Sequence, residues 1–247
     1  MKKIVLFCLC CFTSLLTVNC QNAINPSNLK IDKAFVFPEK YTMNMFFVVD
    51  SLKRPMGKFH TSLVKKDNNI AITTKLQMPN QPKNQWIDST VVNSINFEPL
   101  FHSSKNPQRE MVMKFGEKIT GYYKDLMTDS KTQILETSTE PFFDSNFYPY
   151  LIRLLPLKDE YATTISMFDY NPKSKIGIMK ATILDTKSIE IDFNGKERKV
   201  WEVKTTNDIS DNKFMTTFYI DKATRQTLKQ VTETEQGQLV MERESLD

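Results

Sequence analysis

The feature that most constrains the fold of this chain is an alternation of apolar and polar residues with a period of two. Where it first becomes clear, Tyr41, Met43, Met45, Phe47 and Val49 fall on one face of an extended strand. Segments of the same kind, separated by turn residues, recur to the end of the chain. The predicted strands cover residues 41–49, 58–65, 70–78, 86–92, 108–115, 118–124, 132–137, 161–169, 176–184, 187–193, 199–205, 214–221, 227–235 and 238–243.

This series of strands predicts a mainly β protein. Its economical architecture is one large, strongly curved antiparallel sheet that forms an unclosed β-barrel. Asn194-Gly195 is the strongest hairpin signal, because both central residues of a type I′ turn need a positive φ. A further turn is predicted over residues 53–57. No repeat or linker divides the sequence, so we expect residues 41–247 to form a single β domain.

One segment, residues 142–157, departs from the β pattern. Pro149 suits the first turn of a helix and Pro156 cannot continue one, so about two helical turns fit between them. Leu151, Leu154 and Leu155 would share one face of that helix. Because so short a helix is marginal alone, we expect it to pack against the concave side of the sheet, as a lid or a plug.

The N-terminus has the layout of a secretory signal peptide, predicted over residues 1–20. Two lysines precede an apolar run over residues 4–18. The protein is therefore expected to be exported, into the periplasm or onto the outer membrane of a Gram-negative-type envelope. The run is too short for a comfortable transmembrane helix, and no later segment approaches the needed length. All four cysteines lie in or beside this segment, so the mature domain can form no internal disulfide.

Two processing sites compete at the end of the signal. Val18-Asn19-Cys20 before Gln21 could be cleaved as in a simple secreted protein. Alternatively, residues 16–20 resemble a lipobox in which Cys20 becomes acylated and anchors the chain to a membrane. Asn19 departs from that motif, which normally has a small residue there. Residues 21–40 are predicted to be a polar N-terminal tether.

Several short motifs carry a resemblance to a known family. They are Asp88-Ser89-Thr90, Phe143-Asp144, Leu154-Leu155-Pro156-Leu157, Trp201 and Phe218-Tyr219-Ile220-Asp221. With them the chain resembles a family of exported domains of unknown function, related in fold to the periplasmic lipoprotein carriers LolA and LolB. The resemblance implies an unclosed β-barrel around an apolar cavity, with helical elements as a lid. It implies no catalytic residue.

The residues that chemistry would need are scarce. The net charge is +4, and the lysines and arginines are spread among aspartates and glutamates. This distribution does not indicate nucleic-acid binding. His60 and His102 are the only histidines and the mature domain lacks cysteine, so a His/Cys zinc site and a Cys-His dyad are excluded. We expect both histidines to be solvated or hydrogen-bonded strand residues, and Asp144 to be a turn or capping residue before the helix. The sequence therefore predicts no enzyme, no metal and no cofactor.

The feature that could indicate binding is the apolar content, with 17 Phe and 12 Met. Methionine adapts to irregular partners. The predicted ligand-cavity residues are Met43, Met45, Phe47, Ile70, Ile72, Met111, Met113 and Phe115, with Leu151, Leu154 and Leu155 as the lid. In one hypothesis the protein carries a lipid or a lipoprotein acyl chain in this cavity. In the other, its own side chains fill the space and it is a structural or partner-binding envelope module.

Overall fold

The computed structural model describes residues 22–79 and 86–246. The predicted signal peptide and the predicted lipidation site at Cys20 lie outside these residues. A single sheet of fifteen strands forms the body. The strands are β1 (Glu39–Val49), β2 (Leu52–Lys66), β3 (Asn69–Gln77), β4 (Trp86–Asn93), β5 (Pro99–Lys105), β6 (Arg109–Lys114), β7 (Ile119–Asp125), β8 (Ser130–Glu136), β9 (Phe143–Asp144), β10 (Thr163–Tyr170), β11 (Ile176–Phe193), β12 (Lys196–Asn207), β13 (Thr216–Asp221), β14 (Thr227–Thr234) and β15 (Gly237–Arg243).

The order of the strands makes one open antiparallel sheet. Strands β8 back to β1 lie side by side, β1 pairs with β15, and β15 back to β10 continue the sheet to the two-residue strand β9. Only β9 pairs in parallel, with β10. The two edges, β8 and β9, are not hydrogen-bonded to each other, so the barrel is unclosed. The predicted fold class is confirmed.

Some local predictions hold and others are wrong. The Asn194-Gly195 turn joins β11 to β12 with φ values of 53° and 74°, as a type I′ turn requires. The turn predicted over residues 53–57 lies inside β2, and the chain reverses instead at Asp50 and Ser51, both with positive φ. Strand β11 is continuous where two strands were predicted. A bulge between Ile183 and Asp185 absorbs the break in its pattern.

The segment before β1 differs from a polar tether, because it packs against the core. Ile24 forms a parallel bridge with Ile165 on β10 through backbone hydrogen bonds. Leu29, Ile31 and Phe35 are half-buried against the same core. A short 3₁₀ turn over Lys33–Phe35 leads toward β1. The apolar residues of this segment are separated by polar ones, so no pattern in the sequence predicts its packing against the core.

The only α-helix in the described part of the chain, α1 (Tyr148–Ile152), has five residues and is shorter than the two turns predicted. Pro149 stands in its first turn, as expected. After Arg153, hydrogen bonds from Leu154 to Leu151 and from Leu155 to Ile152 tighten the chain into 3₁₀ geometry. Nothing in residues 22–79 or 86–246 forms a helix long and apolar enough to cross a membrane.

Two apolar clusters fill the concave side of the sheet. The larger joins α1 to the inner faces of strands on both halves, and within it Leu151, Leu154 and Leu155 are at most 1% exposed. The smaller joins Met111 and Met113 of β6 to Phe168 of β10, which brings residues near the two ends of the sheet together. The α1 segment, by which we mean residues 144–155 with α1 at its centre, is thus part of the core of the molecule.

The burial of Leu154 predicts a large loss of stability on truncation. Leu154→Ala should lower the free energy of unfolding by about 2–5 kcal/mol, because it removes close-packed methyl groups and leaves a cavity. Chemical denaturation measures the change. Leu135→Ala on β8 is the matched control, since Leu135 is 66% exposed and its loss should have little effect. Equal effects of the two substitutions would contradict the buried position of Leu154.

Candidate functional site

The candidate site lies where α1 crosses the concave face of strands β1 to β5. There a row of buried residues runs across the strands, each opposite the next in the register. The row is Glu39, Leu63, Ile72, Thr90 and His102. Neighbouring strands lie about 4.8 Å apart, so the four steps span about 19 Å. The α1 segment lies along this row and contacts charged or polar groups at both of its ends.

At one end, Asp144 ties the segment to β4 and β5. Its Oδ2 accepts hydrogen bonds from Thr90 Oγ1 at 2.7 Å and from His102 Nδ1 at 2.8 Å. Its Oδ1 accepts from the backbone N–H of Asn146 at 3.1 Å, and the Asn146 amide donates to Thr90 Oγ1 at 2.9 Å. Asp144 is fully buried, so these bonds replace the water that its charge has lost.

This geometry decides between the alternatives of two predictions. His102 is hydrogen-bonded, as one of the expected alternatives had it, but it is only 5% exposed rather than solvated. Asp144 is a turn residue, as one of the expected alternatives had it, because its Oδ1 accepts from the backbone N–H of Asn146 two residues on. It does not cap α1, since the N-cap position is occupied by Phe147 without a side-chain hydrogen bond. The cluster is also unlike a catalytic triad, since Thr90 donates to the carboxylate and not to the imidazole. Among the described residues, no group hydrogen-bonds to His102 Nε2.

The carboxylates around His102 govern its protonation. Burial alone would lower the pKa of the imidazole, but the attraction and hydrogen bond of Asp144 outweigh burial. With smaller contributions from Asp88 and Asp169, the pKa of His102 is raised above its ordinary value. The protonated imidazole therefore stabilises the fold through Asp144. Burial raises the pKa of the nearby Asp169 carboxyl, although the hydrogen bond from Ser145 opposes that shift.

At the other end of the row, two buried arginines share one carboxylate. Arg153, just after α1, places Nη1 2.5 Å from Glu39 Oε1. Arg243 on β15 places Nη1 and Nη2 each 3.4 Å from Glu39 Oε2, which also accepts from the Gln226 amide at 3.3 Å. All three charged side chains are at least nine-tenths buried. This cluster ties α1 to the centre of the sheet.

The Arg153 guanidinium is held between aromatic rings but is not fully hydrogen-bonded. It lies 4.2 Å from the centre of the Tyr150 ring and 5.6 Å from that of Phe37. Burial alone would lower its pKa, yet Tyr150 and Glu39 raise the pKa above the usual value, so Arg153 is charged. Within the described residues, its Nε and Nη2 and the Tyr150 hydroxyl have no hydrogen-bond partner.

A pocket of about 250 Å³ lies beside these free groups. Its roof comes from the α1 segment, through Asn146, Pro149, Tyr150 and Arg153. Its floor and walls come from the sheet: Glu39, Tyr41, Met43, Phe59, Thr61, Leu63, Ile72, Thr74, Asp88, Phe218, Thr227, Gln230 and Met241. The walls are mostly apolar, with polar groups among them that include Arg153 and Asp88. Such a lining suits a ligand with an apolar body and few polar contacts.

The pocket brings together only some of the residues that the sequence predicts for a ligand cavity. Met43 and Ile72 line it. Met45 lies by a separate surface groove, Phe47 is half-buried further along β1, and Ile70 is in the core. The others pack elsewhere in the two clusters: Met111, Met113, Phe115, Leu151, Leu154 and Leu155. The leucines face the core, while the opposite side of α1 faces the pocket.

Sequence reasoning missed the polar residues of the site, Glu39, Thr90, Arg153 and Arg243. Thr90 and Asp144 belong to motifs that carry the family resemblance, and the structure brings those motifs into contact. A charged residue inside an apolar helical segment, such as Arg153 in YLIRLL, was the one local signal available. In the described residues, no group of three His, Cys, Asp or Glu side chains could hold a metal ion.

The comparisons with known proteins agree with this architecture. The profile of a family described as "Protein of unknown function (DUF3108)" matches residues 40–244. The chain belongs to this family. No curated protein matches this DUF3108 chain. It is similar to the crystal structure of a beta-barrel-like protein of the domain of unknown function DUF1849 from Brucella abortus, with a TM-score of 0.53 and 11% identity over 86% of this chain and 98% of that one.

At that identity the likeness to the DUF1849 protein shows the fold alone. Both families are described as being of unknown function, so neither comparison indicates catalysis. The fold relation of this DUF3108 chain to LolA and LolB stays a prediction, as does its export.

The His102–Asp144 pair predicts a pH dependence of stability. Because the folded-state pKa of His102 is raised, its contribution is fully present below the unfolded value of about 6.5 and is lost as pH rises through the folded-state pKa. The free energy of unfolding should therefore fall as the pH rises above about 6.5 and through the folded-state pKa, and His102→Gln should flatten this change. His60→Gln, at an exposed histidine, is the control. An unchanged slope in His102→Gln would contradict the pairing.

Proposed function

We propose that this DUF3108 protein binds a small ligand with an apolar body in the pocket beneath α1, without catalysing a reaction. The observation that carries the proposal is a mostly apolar pocket whose lining residues include buried polar groups without partners among the described residues. Burial of apolar surface, at about 25 cal/mol per Å², would drive binding. Buried polar groups in the wall would orient the ligand.

The size of the pocket limits the ligand. Pockets for drug-sized ligands measure about 300–1,000 Å³. At about 250 Å³, this one suits a single short acyl chain or a compact apolar molecule. The several chains of a lipoprotein anchor would need α1 to move away from the sheet. A single-chain ligand is therefore favoured over whole-anchor transport as in LolA and LolB.

A structural role is the second candidate. It is favoured by the full burial of the α1 leucines and by the buried ties at Asp144 and Arg153, which hold α1 as firmly as a core element. In that case the pocket would be a packing defect beneath a permanently fixed helix. The protein would then act through its outer surface on a partner in the envelope.

Ligand binding can be tested on the protein purified without denaturation. Organic extraction followed by mass spectrometry should recover a single-chain amphiphile or a compact apolar compound. Thr74→Phe fills the pocket and should abolish that recovery, because Thr74 lines it. Thr73→Phe is the matched control, since the next residue of β3 points to the opposite face. Wild-type protein that carries no ligand, and that takes up none of a panel of fatty acids and alcohols, would favour the structural role.

Export and anchoring are proposed from the N-terminal sequence alone. The intact mass of the natively expressed protein should show that residues before Gln21 or Cys20 are removed. A diacyl or triacyl increment on Cys20 would support a membrane-anchored lipoprotein, and an unmodified Gln21 start would support simple secretion. Retention of Met1 would contradict both.

A further inference from the structure

We propose that the ligand carries a carboxylate, and that Arg153 binds this group through its Nε and Nη2 while the Tyr150 hydroxyl donates a further hydrogen bond. This inference rests on the proposed function, which it makes more specific by naming the ligand class: an aliphatic carboxylate. Its site is the end of the pocket next to Glu39, where α1 meets β1.

The free edge of the guanidinium is the first argument. Arg153 already uses Nη1 to contact Glu39, at 2.5 Å. The two nitrogens left over, Nε and Nη2, form one side of the planar guanidinium, and both are buried without a partner among the described residues. That side matches the two oxygens of a carboxylate with two parallel hydrogen bonds. A single site thus offers two directed donors and a positive charge.

The rigidity of this edge is the second argument. The guanidinium lies over the Tyr150 ring at 4.2 Å, and the side chain is only 2% exposed. Its position is therefore set before a ligand arrives, so little side-chain entropy is lost on binding. Tyr150 lines the same pocket, and its hydroxyl is also buried without a partner in the described part of the chain. Burial raises the pKa of Tyr150, so the hydroxyl keeps its proton to donate.

The charge balance of the cluster is the third argument. Arg153 and Arg243 are both buried against the single carboxylate of Glu39, which leaves one positive charge in excess. A buried charge without a counterion is costly, and an anionic ligand would remove that cost. The other carboxylate of the pocket, Asp88, lies on β4 opposite Thr74 of β3. Strand β4 is three strands away from β1, which carries Glu39. With strands about 4.8 Å apart, Asp88 is about 14 Å away across the sheet and does not neutralise the cluster.

The apolar walls explain why the carboxylate should end a hydrocarbon chain. From the arginine end, the pocket continues between apolar side chains of five strands, including Met43, Phe59, Ile72, Phe218 and Met241. A free small anion would leave this surface wet, whereas an alkyl chain would cover it. The head group and the chain therefore contribute at adjacent places in one pocket.

The inference can be tested with ligand pairs that differ only in the head group. Calorimetric titration of the wild-type protein should show decanoate binding at least about tenfold more tightly than decanol, because hydrogen bonds to charged groups are the stronger ones. Acetate should bind more weakly than decanoate, since it lacks the chain. Arg153→Met should remove the preference for decanoate and leave decanol binding nearly unchanged. Tyr150→Phe should weaken decanoate by a smaller factor.

Arg225→Met is the matched control. Arg225 is also partly buried against an aromatic ring, 5.2 Å from the centre of Phe35, but it does not line the pocket. It should keep the preference for decanoate. Arg153→Met leaves Glu39 paired with Arg243, and if it still fails to fold, Arg153→Lys keeps the positive charge but removes the two-donor edge and should lower the preference. The comparison of decanoate with decanol in the wild-type protein needs no variant.

The outcomes separate the two proposals. Equal binding of decanoate and decanol, or a preference that survives Arg153→Met, would overturn the carboxylate inference and leave the proposed function standing. Acetate binding as tightly as decanoate would also overturn it, because the ligand would then be a small anion. Failure of every chain-bearing probe to bind the wild-type protein would contradict the proposed function itself.

Discussion

The structure depends on the burial of the α1 segment against the concave face of an open sheet. Fifteen strands without closure leave one large inner surface that must be covered, and α1 with its flanking leucines covers much of it. A five-residue helix would not persist alone. Its position is set by Asp144, which bonds to Thr90 and His102, and by Arg153, which pairs with Glu39. All three of those partners lie in one row across the strands, so the segment is fastened along a single line.

Much of the fold could be predicted because a strand can be recognised from its own sequence, by the alternation of apolar and polar residues. Where the inward residues are polar, that signal fails. Strand β5 was missed for this reason, since its inward side chains include His102 and Ser104, both buried. The length of α1 was overestimated because the leucines after Arg153 have helical spacing, although the chain there adopts tighter turns. Pairing of residues far apart in the chain has no local signature at all.

The candidate site could be predicted only in part, for the same physical reason. Met43 and Ile72 were found because an inward apolar residue on a strand is recognisable from its neighbours. Glu39, Arg153 and Arg243 were not, because each by itself resembles an ordinary surface charge and acquires its role only when β1, β15 and α1 meet. The same holds for Asp144, whose partners come from two strands distant in sequence. A buried charge is informative where the hydrophobic pattern gives no signal, since it costs free energy that the fold must recover through partners.

The two ends of the α1 segment are therefore unequal. At Asp144 both carboxylate oxygens have donors within the protein, although His102 Nε2 has no partner among the described residues. At Arg153 one side of the guanidinium contacts Glu39, and the other is buried without a partner among the described residues, in a side chain that lines a pocket. A charge whose own atoms are all bonded needs no further partner, while the Arg153 guanidinium still has two donors left for a further group. Because that group would bind only when α1 lies on the sheet, its binding would stabilise the closed position of the helix by mass action. Arg153 would then join ligand occupancy to the integrity of the core, without any movement of the strands.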